Sequence, residues 1–168
     1  MQQSVRNRLR GLIFFIPLII LSIAAFQRSI LWQDGIEMWQ DVVKKSPKKV
    51  RAHNNLGVSY SRKGLLSYAI QELYKAIELD PDYWASHFNL GKIFWKAGYP
   101  DLAIKEFLEA LRLNPYSHDI HMRLGEVYEE KGLYNKALFE YQLALIIKPD
   151  SEDAKQRQDA LLKKIQPK

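Results

Sequence analysis

A 34-residue period dominates this sequence and leaves few folds open to it. Gly57, Gly91 and Gly125 stand 34 residues apart, and so do Gly64, Gly98 and Gly132. The same spacing relates Leu56/Leu90/Leu124, Tyr60/Phe94/Tyr128, Ala69/Ala103/Ala137, Leu73/Phe107/Tyr141, Ala76/Ala110/Ala144 and Pro81/Pro115/Pro149. One complete unit is Trp84–Ser117, with copies at Val50–Tyr83 and His118–Ser151. A period of this size marks an array of small supersecondary units, none of which buries its apolar face alone.

Each repeated column has a packing reason. Leu, Gly and an aromatic at unit positions 7, 8 and 11 share one stripe of a first helix, and the Gly lets a second helix come close. The Gly at position 15 falls between two helical runs, where a left-handed residue closes the first helix at little cost. Small, large and small residues at positions 20, 24 and 27 follow helical spacing on a second helix. The Pro at position 32 ends it and starts the next unit. The spacing therefore predicts three helix–turn–helix hairpins.

This pattern resembles the tetratricopeptide repeat (TPR), over residues 50–151. It departs from the usual repeat at position 4, where His53, His87 and His121 replace an aromatic, and at position 24 of the first copy, which is Leu73. The resemblance implies an all-α TPR solenoid of three full repeats (50–83, 84–117 and 118–151) that works as a protein-interaction scaffold.

The flanks extend the array on both sides. Pro47, Trp39, Val42 and Gly35 precede Pro81, Leu73, Ala76 and Ala69 by one period, so residues 33–47 read as the second helix of a degenerate half-repeat. Ile36, Trp39 and Val43 make its apolar face; a free amphipathic linker helix is the alternative. After Ser151, residues 152–168 carry Ala154, Gln158, Leu161 and Ile165 on one stripe and polar residues elsewhere, as a C-terminal capping helix requires. Gln158 and Asp159 stand where a fourth unit would have Leu and Gly, so no further hairpin is expected.

Residues 1–32 read as an N-terminal membrane anchor. Arg6, Arg8 and Arg10 precede an uncharged run from Gly11 to Phe26. From Leu12 to Phe26 a helix would reach about 22 Å, short of a hydrocarbon core of roughly 30 Å; carried on to Trp32 it reaches about 31 Å. Pro17 is tolerable within such a transmembrane helix. The apolar pattern resumes at Ile30-Leu31-Trp32, which favours an uncleaved anchor over a signal peptide cleaved near Ser22, Ala24 and Ala25. Arginines ahead of the span put the N-terminus in the cytoplasm and the repeats on the extracytoplasmic side, periplasmic or lumenal.

A second resemblance covers about residues 28–57. Trp32-Gln33-Asp34, Met38-Trp39, Lys45-Ser46-Pro47, Arg51 and Asn54-Asn55-Leu56-Gly57 look like the membrane-to-repeat junction of multispanning O-mannosyltransferase-like proteins that end in TPR arrays. That resemblance implies placement outside the cytoplasm. It carries no catalysis, because the earlier spans and acidic loops that perform glycosyl transfer in that family have no counterpart in this sequence.

Charge and residue content narrow the function classes. The net charge is +6, but residues 1–49 hold eight Lys/Arg against three Asp/Glu while the remainder holds seventeen against sixteen. The basicity thus belongs to the anchor end, and nucleic acid is not an expected partner. There is no cysteine, which excludes disulfides and thiolate chemistry. His53, His87 and His121 recur one unit apart, too far to share a metal; His118 and His121 are three apart on one helix but lack a third ligand. With no phosphate loop, nucleophile motif or paired carboxylates, neither enzyme activity nor a cofactor is expected.

What remains is a recognition groove for a protein or peptide. In TPR arrays, unit positions 2, 5, 6, 9 and 12 of the first helices tend to face the concave side. The resemblance assigns these positions to Arg51, Asn54, Asn55, Val58 and Ser61; to Ala85, Phe88, Asn89, Lys92 and Trp95; and to Asp119, Met122, Arg123, Glu126 and Glu129. Asn55 and Asn89 resemble the asparagine ladder with which some arrays hold a peptide backbone, or else are simply tolerated at a half-exposed site. The family's clamp for a terminal carboxylate matches poorly, since its lysine positions are Asn54 and Asp119. Phe88, Met122 and Trp95 are the expected apolar anchors. An accessory role in a membrane glycosylation or envelope-assembly complex, and self-assembly into a homo-oligomer, are the alternative functions.

Overall fold

The computed structural model describes residues 35–165. Those residues form eight helices in succession, α1 (Ile36–Lys45), α2 (Val50–Arg62), α3 (Leu66–Leu79), α4 (Trp84–Lys96), α5 (Pro100–Leu113), α6 (His118–Glu130), α7 (Tyr134–Ile147) and α8 (Glu152–Ile165), with no strand among them. The result is an all-α solenoid. Hairpins α2–α3, α4–α5 and α6–α7 stack in order, with α1 packed on α2 and α8 on α7. The expected membrane span lies outside the described residues, and among the described residues no helix is long and apolar enough to cross a membrane.

The turn inside each hairpin is made by the Gly at unit position 15. Gly98 sits at φ 81, a left-handed conformation that an L side chain resists. Its N–H donates to the Trp95 carbonyl (2.9 Å) while the Tyr99 N–H reaches back to the Phe94 carbonyl (2.8 Å). These two bonds satisfy the orphaned carbonyls of the helix end. Equivalent pairs form at Gly64 and Gly132.

The Gly at position 8 serves close approach instead. A Cβ at Gly91 would lie 2.7 Å from the Phe107 ring, and one at Gly125 would lie 2.5 Å from Tyr141 Cε1. The position-24 side chain of the second helix fills that space, so Leu73, Phe107 and Tyr141 are fully buried beside the equally buried alanines at positions 20 and 27. Burial of these side chains stabilises each hairpin, at about 25 cal/mol per Å² of apolar surface removed from water.

A second, polar device recurs in every unit. His53 Nδ1 lies 2.6 Å from Glu72 and its Nε2 lies 2.8 Å from the Pro47 carbonyl. His87 sits 2.8 Å from Glu106 and 3.1 Å from the Pro81 carbonyl. His121 sits 2.7 Å from Glu140 and 3.1 Å from the Pro115 carbonyl. Each histidine thus staples its own second helix to the proline turn entering its unit. Burial works against charge on His121, but its hydrogen bonds to Glu140 and the Pro115 carbonyl, with the charge of Glu140, raise its value overall. Both ring nitrogens are engaged, Nδ1 by the Glu140 carboxylate and Nε2 by the Pro115 carbonyl. His118 is engaged separately, donating from Nδ1 to the Ala144 carbonyl at 3.1 Å. Among the described residues no group of three or more metal-ligating side chains comes together.

Candidate functional groove

The first helices of successive hairpins touch one another directly, α2 with α4 and α4 with α6, whereas α3 and α5 each meet the next first helix. This tilt puts α2, α4 and α6 on the inner face. Cavities lie along it. One of about 220 Å³ is bordered by Trp39, Asn55, Val58, Ser59 and Arg62. The next, of about 240 Å³, is lined by Ser61, Arg62, Asn89, Lys92 and Lys96 among others. The last, of about 590 Å³, lies between Trp95, Arg123, Glu126, Glu129, Tyr134, Arg157 and Lys164.

The structure separates the expected groove residues into two sets. Arg51 and Arg123 are exposed, and Asn55, Phe88, Asn89, Lys92 and Trp95 are half-buried with an open edge. Asn54, Met122 and Glu126 are buried, at 4%, 6% and 7% exposure. Position 5 is therefore not uniform: Asn54 and Met122 are buried there, whereas Phe88 keeps an open edge. Met122 is a core residue packed with Leu90, Ile120 and Leu124, not the apolar anchor expected of it. Asn54 accepts from Asn89 Nδ2 (2.9 Å) and from Ser86 Oγ (3.4 Å), and passes a hydrogen bond on to Asn55 Oδ1 (3.1 Å). It joins unit to unit.

This amide chain changes what the two ladder asparagines can offer. Asn55 uses its carbonyl oxygen internally and keeps its two N–H donors; Asn89 uses one N–H and keeps its carbonyl oxygen. Between them they present a donor and an acceptor to the groove, the pair that an extended backbone needs. Phe88 leans on Trp84 and Phe107 with ring centroids 6.3 and 5.8 Å apart, and the Lys92 ammonium rides 4.7 Å above its ring. Trp95 donates its indole N–H to Glu130 of the next unit.

At the C-terminal end the acidic residues are already partnered. Glu126 pairs with Arg123 and Arg157, each at 2.7 Å, and Glu129 accepts from the Tyr141 hydroxyl at 3.0 Å. Burial, then the hydrogen bond and charge of Glu129, push the Tyr141 phenol well above its ordinary value, with Arg157 opposing. Arg157 belongs to α8, so the cap closes the groove's end as well as the core. Sequence reading missed two of these features. The Glu72/Glu106/Glu140 column carries the same 34-residue spacing as its histidine partners and was a findable signal; the Arg157–Glu126 pair follows no period and was not.

Stacked helical hairpins with a polar, aromatic-edged inner face define a class: an α-solenoid of the kind that binds other polypeptides. Within that class the repeats are specific. The tetratricopeptide repeat model matches residues 88–154 and a second TPR repeat model matches residues 66–98. The chain is a tetratricopeptide repeat protein. Among solved structures, MamA is 29% identical with a TM-score of 0.71, covering 77% of this chain and 75% of its own. TTC0263, a thermophilic TPR protein of Thermus thermophilus, is 26% identical with a TM-score of 0.68, covering 76% and 71%. The first TPR of Spaghetti (RPAP3), bound to an HSP90 peptide in its structure, shares the fold at 18% identity and a TM-score of 0.67, covering 70% and 93%. No curated protein matches the chain.

Proposed function

We propose that this chain is a membrane-anchored scaffold whose inner groove captures an extended segment of a protein or peptide partner. The observation that carries the groove is the split use of the two asparagines, which leaves donors on Asn55 beside one inner-face cavity and an acceptor on Asn89 beside the next. Trp95, half-buried with an open edge at the next position along, gives that segment an apolar contact. The anchor rests on the arginine-led uncharged run from Gly11 to Phe26, and the extracytoplasmic side on the arginines ahead of it. TPR proteins are in general scaffolds rather than catalysts, and no catalytic role is proposed.

The test uses the full chain as bait in a detergent extract, beside the Asn55→Ala and Trp95→Ala variants. A partner held by the wild type is expected to be lost by both variants while their melting temperatures show them folded. Partners retained by both variants would remove the groove from the account. The anchor is tested apart: alkaline washing of membranes is expected to leave the chain in the pellet. Release with residues 1–32 intact would exclude a span.

A second reading is favoured by one observation. Tyr116 is 82% exposed and Ile146 75% exposed, apolar groups away from the groove that suit contact with another copy. Light scattering of the detergent-solubilised chain distinguishes a monomeric binder from a self-assembled oligomer.

A further inference from the structure

We propose that the cavity between α2 and α4 is an anion subsite that takes the side-chain carboxylate of an aspartate or glutamate within the captured segment. This rests on the groove reading above and adds a residue preference to it. Arg62, Lys92 and Lys96 converge on this one space of about 240 Å³. Lys92 and Lys96 lie one turn apart on α4 and so share a face, and the packing of α2 on α4 brings Arg62 to the same space.

Among the described residues no carboxylate lines the cavity. Its three cations make no ion pair with any described residue, in contrast to Arg123 and Arg157 a few residues along the same groove. Lys96 reaches only the Ser61 carbonyl, at 3.3 Å. Lys92 is the deepest of the three. Burial, then the like charges of Arg123 and Arg62, hold its ammonium below the ordinary lysine value, with Asp119 pulling the other way. The half-buried Lys92 with the exposed Arg62 and Lys96 beside it concentrates like charge at one place, and an entering carboxylate relieves that repulsion. Asn89 keeps a second N–H for the same oxygen atoms.

The volume has room for a carboxylate and waters, at about 30 Å³ per water. The lysine positions of the family's terminal-carboxylate clamp, Asn54 and Asp119, do not line this cavity, so the expected anion is a side chain within the segment and not the partner's last residue.

The probe is a short Gly/Ser peptide carrying two glutamates, acetylated and amidated so that no terminal charge remains, with a glutamine twin as control. Backbone amide NMR of the full chain in micelles follows Ser61, Asn89, Lys92 and Lys96. The glutamate peptide is expected to shift these residues saturably and to weaken as salt rises, with the glutamine twin at least about tenfold weaker. Lys92→Met is expected to abolish the difference between the twins with the melting temperature unchanged or raised. Lys105→Met, on the exposed outer side of α5, is expected to leave it intact. Equal binding of the twins, or a Lys92→Met chain that still discriminates, overturns the subsite while leaving the groove standing. Shifts produced by inorganic phosphate alone, with none from millimolar peptide, overturn it as well.

Discussion

Glycine appears in two columns of this array for two different reasons, and single substitutions separate them. At Gly91 the constraint is contact, because a Cβ meets the Phe107 ring at 2.7 Å. At Gly98 nothing lies within 4 Å, and the constraint is the backbone, held at φ 81. Gly91→Ala is expected to destabilise by about 1–3 kcal/mol through overpacking. Gly98→Ala is expected to cost about 1–2 kcal/mol through left-handed strain alone. Urea denaturation checks both, and a cavity-forming second change, Phe107→Leu, is expected to rescue part of the first and none of the second.

The asparagines show where residue-scale reading stops. Asn55 and Asn89 occupy one column, yet only Asn89 is bonded across the unit boundary. Asn89→Ala leaves Asn54 Oδ1 with the 3.4 Å Ser86 contact alone, and Asn55→Ala takes the 3.1 Å acceptor from the buried Asn54 Nδ2, so a loss of about 1 kcal/mol is expected at each. Thermal melts of the two variants compare the sites directly.

At the scale of the element, the histidine staples tie each hairpin to the turn before it. His121 carries a raised value in the fold, so its contribution is complete below the ordinary 6.5 and is lost as pH climbs through the folded value. Glu72 behaves in the opposite sense. Burial raises its value, but the hydrogen bonds and charges of Lys75 and His53 outweigh it and lower the carboxyl overall. Its contribution is present above the ordinary 4.5 and is lost as pH falls through the lower folded value. Stability measured by denaturant is therefore expected to peak between those two ordinary values and to fall as pH rises above 6.5. Glu140→Gln is expected to flatten the alkaline limb of that curve. The histidine column was legible in the sequence, and its glutamate column was equally periodic. Pairing them required the rotation of one helix about the other, which spacing along a single chain does not specify.

At the scale of the whole molecule, an array of this kind is only as stable as its ends. The N-terminal α1 is shorter than the full second helices and buries no residue completely, whereas α8 buries Ala154 and Leu161 fully and sends Arg157 to Glu126. Removing residues 152–168 is expected to uncover the apolar side of α7, lower the melting temperature and cause aggregation on heating, as read by light scattering. Arg157→Ala alone is expected to cost about 1–3 kcal/mol, since the buried Glu126 then keeps only Arg123.

The residues by themselves determined the repeat, the hairpin, the glycine contacts and the need for a cap. All of these are properties of spacing within about 34 residues, where helical period and turn chemistry act locally. Only the tertiary structure decided which inner side chains remain free. Met122, Asn54 and Glu126 were placed in the groove by their positions in the unit, and the stacking of the helices buried them, Glu126 beneath Arg157 of the cap. That stacking angle is set by the summed packing of whole hairpins. Lys92, Arg62 and Lys96 were left facing a shared space by the same angle, which no single column of the repeat records.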